Sequence, residues 1–147
     1  MNLKSLVILV IGIGIGIGIQ TALAKGVPDK VVISSPSLPH DIVIENDTCM
    51  LNALALGNLE DLTMQVNGTP KVEGNGYLVT RYMKQSDGSY LPFDQARFYR
   101  DPAGGYMYIH DLGGIESGTA GEWFRPTTFT ESLLENLLLS PSSWATK

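Results

Sequence analysis

Apolar positions run without a break from Leu6 to Ile19, then scatter, then return in short bursts whose spacing changes along the chain. The β-branched runs Lys30–Ser34 (KVVIS) and Ile42–Ile44 predict two short strands. Pro36 and Pro39 lie between them, and neither can donate to a ladder, so 35–41 reads as a loop or edge crossing. The period then becomes helical. Asp47 is a good N-cap, and Thr48–Leu56 (TCMLNALAL) follows with no breaker before Gly57, a C′ candidate. That segment is apolar on nearly all sides, which predicts a helix wrapped by the fold, with Cys49 as a small buried hydrophobe. Residues 64–76 carry Asn67-Gly68, Pro70 and Gly74-Asn75-Gly76, a connector full of turn signals.

From Tyr77 onward the pattern is aromatic. Every Phe, Tyr and Trp lies at or after this position, in runs punctuated by Gly, Pro and Asp. These runs predict a meander: Tyr77–Lys84, a turn at Asp87-Gly88, Gln95–Arg100, a hairpin connection over 101–105, Tyr106–Leu112, a glycine-rich loop over 113–121, and Glu122–Arg125. Pro92 predicts a bend over 91–94. Thr128-x-x-Glu131 fits a capping box opening a final helix, with Thr130 as an alternative cap, and its stripe of Phe129, Leu133, Leu134, Leu137 and Leu138 would pack on the sheet. Ser140–Lys147 has no periodicity and reads as a disordered tail. The fold class expected is α+β: an antiparallel meander of about four strands, with an N-terminal strand–helix segment and a C-terminal helix on the sheet. The domain expected spans 25–139.

The first 24 residues change where this domain is placed. Lys4, the apolar run and the small-residue end Ala22-Leu23-Ala24 together describe a secretory signal. The alternative is an uncleaved membrane anchor, for which a run of 14 residues falls short of the ~20 that span a bilayer. Both place the domain outside the cytoplasm, secreted, periplasmic or at the cell surface. Removing Lys4 leaves nine basic residues against fifteen acidic, a net charge of −6. That balance excludes a backbone-driven nucleic-acid binder, and it keeps a small exported protein soluble. Cys49 is the only cysteine, so no internal disulfide is possible. Asn46-Asp47-Thr48 and Asn67-Gly68-Thr69 match the glycosylation acceptor pattern.

Candidate chemistry is sparse. His40 and His110 are the two histidines, each followed by Asp, and no His-x-x-x-His or Cys-x-x-Cys spacing accompanies them. No nucleophile elbow or phosphate loop occurs, so no catalytic residue, metal or cofactor is assigned. Pairing Arg100 with Tyr106 across the hairpin puts Ala96, Phe98, Arg100, Tyr106, Tyr108, His110 and Leu112 on one face, the face expected to meet the helix. The other face would carry Gln95, Arg97, Tyr99, Met107, Ile109 and Asp111, with Arg81 added from the preceding strand. Exposed Tyr and Arg on a rigid sheet are the residue types that anchor partners. The expected site is therefore Arg81, Arg97, Tyr99 and Asp111. The expected function is non-catalytic binding of a protein, polymer or small ligand outside the cytoplasm. The alternatives are a small hydrolase using His110 with a carboxylate and a membrane-anchored accessory subunit.

Overall fold

The computed structural model describes residues 27–55, 64–110, 112 and 120–141. The strands are β1 (Lys30–Ser34), β2 (Ile42–Glu45), β3 (Gln65–Val66), β4 (Tyr77–Lys84), β5 (Tyr90–Tyr99), β6 (Tyr106–His110) and β7 (Trp123–Phe124). The helices are α1 (Thr48–Ala53) and α2 (Thr128–Leu139). The α+β class is as expected, but the meander β4–β7 is the centre of a seven-stranded sheet, not the whole of it. Its order is β2-β1-β4-β5-β6-β7-β3, and every pairing is antiparallel. The hairpin β1–β2 extends the β4 edge, and β3, which falls in the expected connector, extends the β7 edge.

One face of the sheet and one side of each helix enclose the core. Val31, Ile33, Ile42, Ile44, Val79, Ala96, Phe98, Met107, Ile109 and Phe124 alternate inward along their strands. Leu51 and Leu54 from the α1 region and Leu134 and Leu137 from α2 close over them. Asn46 takes a left-handed φ of 65°, which Asn tolerates, and reverses the chain into α1. The Asp47 side chain then accepts from the Met50 amide at 2.9 Å. The helix ends at Ala53, shorter than its composition suggests, because Leu54 leaves helical geometry while staying fully buried. Among the described residues of this stretch only Leu51 and Leu54 are buried, and Cys49 is exposed, not buried. Gly57 lies outside the described residues.

Two registers differ from expectation. Pro92 does not end pairing. Strand β5 runs through it, and a bulge absorbs the disruption: Arg81 pairs with Asp94 and Tyr82 with Pro92, leaving Phe93 as the extra residue. Across the next hairpin Tyr106 pairs with Tyr99, not with Arg100, so Met107 faces Phe98 and Ile109 faces Ala96. This choice buries two wholly apolar side chains and leaves the polar tips of Tyr106, Tyr108 and His110 on the other face. Helix α2 is capped by Thr127, whose hydroxyl accepts from the Thr130 amide, one residue earlier than expected. Glu131 is thereby released from capping and accepts from the Gly105 amide at 2.8 Å. Phe129 is 62% exposed and does not belong to the buried stripe, which is Thr130, Leu134 and Leu137.

Candidate functional site

The face opposite the helices is where the informative side chains gather. On β5, Gln95, Arg97 and Tyr99 point to it. Cross-strand pairing sets His110 beside Gln95, Tyr108 beside Arg97 and Tyr106 beside Tyr99, and Trp123 follows beside Tyr108. The rings form one connected row. Trp123 lies 5.5 Å from Tyr99 and 4.9 Å from Tyr108, and Tyr108 meets His110 edge-on at 5.0 Å. These spacings are those of attractive aromatic pairs, so the rings hold one another in place. All four are partly buried and retain accessible surface.

The rim of the row is tied down. Arg97 donates from Nη1 to the Asn75 carbonyl at 2.8 Å. Gly76, at a φ of +63°, lets its loop lie against Tyr99; a Cβ there would stand 3.0 Å from the ring and 2.8 Å from the Phe98 carbonyl. Arg125 stacks on Tyr106 at 4.2 Å from the ring centre and donates to the Ala103 and Gly104 carbonyls and the Tyr106 hydroxyl. A second aromatic cluster occupies the far end of the same face, where Lys30 lies over the Tyr90 and Tyr82 rings. Tyr90 donates a very short hydrogen bond to Glu45, which holds its hydroxyl above the ordinary tyrosine range.

Burial, and secondarily the positive charge of Arg97, holds the His110 imidazole below its usual pKa of 6.5. Its Nε2 is buried and finds no hydrogen-bond partner among the described residues. The unfolded chain therefore binds the proton more readily than the folded one, and folded stability declines as pH falls below about 6.5 until the folded imidazole also protonates. His110→Gln removes this contribution. The drop in melting temperature between pH 7.5 and pH 5.5 is expected to be smaller in that variant than in the parent chain; an equal drop would exclude His110 as its source.

Of the four expected site residues, Arg97 and Tyr99 are brought together on this face. Arg81 is a correction: it points to the helix side, fully buried, with Nη2 2.6 Å from Asp94 Oδ1. The odd-numbered positions of β4 face the core, as Val79 does. Asp111 lies outside the described residues, as does most of the glycine-rich loop 113–121. Tyr108 and His110 join the face against expectation, as a direct consequence of the hairpin register, and Trp123 follows through its pairing with Tyr108. The signal was present in the strand itself: in Tyr106–His110 the wholly apolar residues are the second and fourth. Among the described residues no three His, Cys, Asp or Glu side chains come together as metal ligands. None of their helices is long and apolar enough to cross a membrane. Comparisons with protein-family models, with curated proteins and with solved structures found no match.

Proposed function

We propose that the chain is an extracytoplasmic binding module whose aromatic face docks a protein partner. The observation that carries this reading is the connected row Tyr99–Trp123–Tyr108–His110 with Arg97 beside it. Tyr, Trp and Arg dominate binding hot spots because they present large contact area with few rotamers to freeze. Here sheet pairing and mutual ring contact have already removed much of that freedom, so little ordering entropy remains to be lost on docking. The signal-like N-terminus and the net negative charge support the compartment.

A photo-crosslinking residue in place of Gln95 would capture the partner in the native compartment, with the same residue at Cys49 as the off-face control. Trp123→Ala is then expected to weaken the purified complex by about 2 kcal/mol or more, roughly 30-fold, with unchanged far-UV circular dichroism. Capture equally efficient from Cys49, or a complex indifferent to Trp123→Ala, would remove the proposal.

A further inference from the structure

On the helix side, at the end of the sheet away from the bulge, lies a cleft of about 330 Å³. It is separate from the aromatic face. The β1–β2 loop forms one wall with Ser35 and Ser37, the 73–76 turn forms another with Glu73 and Asn75, and Tyr77 and Arg100 close it. Its size is at the small end of ligand sites, enough for one ring-sized polar molecule.

The lining selects by charge. Arg100 makes a bidentate ion pair with Glu135 through Nε and Nη2, so its positive charge is already matched. Glu73 adds a carboxylate at the exposed rim. A free anion therefore gains no net attraction here, and an apolar molecule would strip water from hydroxyls, a carboxylate and a guanidinium without replacing their hydrogen bonds. A neutral polyol meets both needs, since each of its hydroxyls donates and accepts. Glu73 can accept, Ser37 can do either, and Arg100 can donate. Tyr77, partly buried against the core, adds an aromatic side chain to the lining for a pyranose C–H face to meet.

The frame is rigid where it must be. Ser35 donates to the Gly76 carbonyl at 2.9 Å and contacts the Ser37 hydroxyl at 3.0 Å, joining the two loops that form opposite walls. Arg97 pins the same turn from the other face through Asn75. The cleft is thus held open by bonds that do not use up Ser37 or Glu73 entirely.

We infer that this cleft binds a single neutral sugar unit. The test is a titration of the isotope-labelled full-length chain with the methyl glycosides of glucose, galactose and mannose, followed by amide NMR, with glucuronate and glucosamine as charged arms. At least one methyl glycoside is expected to give saturable shifts at residues 35–37 and 73–77 and to bind more tightly than either charged sugar. Ser37→Ala and Glu73→Gln should each weaken that binding about 3–10-fold, the worth of one hydrogen bond. Both positions are exposed, so both variants keep the fold, and an unchanged far-UV circular dichroism spectrum confirms it. No saturable shift with any neutral glycoside would overturn the inference. So would tighter binding of glucosamine or glucuronate, or shifts indifferent to both substitutions. None of these outcomes bears on the aromatic face, whose own test reads Trp123.

Discussion

Asp94→Ala is expected to lower the unfolding free energy by about 3–5 kcal/mol, read as a shift in the denaturant midpoint at constant slope. Arg81 is completely buried and Asp94 is 6% exposed, and they meet at 2.6 Å on the face that carries the core. The pair exists because of the bulge. With Phe93 set aside as the extra residue, Asp94 comes into register with Arg81, while Val31 flanks Arg81 from β1. Removing the carboxylate strips a buried guanidinium of the ion pair it makes at 2.6 Å in a site of low dielectric, and that costs far more than the pair is worth as a pair. The joint replacement Arg81→Met with Asp94→Leu should therefore recover most of the loss, since matched apolar side chains need no charge compensation. A single substitution costing less than about 1 kcal/mol, the value of an exposed ion pair, would show that the site is wet.

Gly105→Ala is the second large effect, expected at about 1–3 kcal/mol from overpacking alone. A Cβ on Gly105 would stand 2.3 Å from Phe98 Cε2, 2.8 Å from Cζ and 3.1 Å from the Tyr99 carbonyl. Phe98 cannot swing away, because its ring is fully buried among Val79, Met107 and the α2 leucines. The bond from the Gly105 amide to Glu131 would be strained with it, loosening the contact between hairpin and helix. Phe98→Leu trims the clashing atoms, so the double variant should be more stable than the two single losses added together predict. Thermal unfolding of the four proteins measures the coupling, and strict additivity would mean that the chain accommodates the added methyl group without touching Phe98.

The two residues at the centre of these predictions were the ones hardest to place from the chain alone. Arg81 sits in a strand whose other polar residues, Thr80 and Lys84, face away from the core, and nothing local says that a guanidinium belongs inside. Its partner comes from the next strand, past a Pro that looks like a strand terminator. Gly105 reads as half of an ordinary Gly-Gly turn, and its actual role is to let the Phe98 ring pass. The aromatic face suffered from the same blindness: a one-residue change in hairpin register exchanges Tyr106, Tyr108 and His110 for Met107 and Ile109. Arg97 and Tyr99 escaped the error because they share a face within one strand whatever that strand pairs with.

Local chemistry decided the order of elements, the β-branched and aromatic strands, the Asp47 cap and the antiparallel α+β class. Each of these rests on contacts within a few residues, where steric and capping preferences act directly. Register, the inward ion pair, the exposure of Cys49 and Phe129, and the joining of β1–β2 and β3 to the meander were decided by long-range packing. Those outcomes depend on which combination of distant side chains fills one core with no charge left unmatched, a condition that no stretch of the chain can express alone.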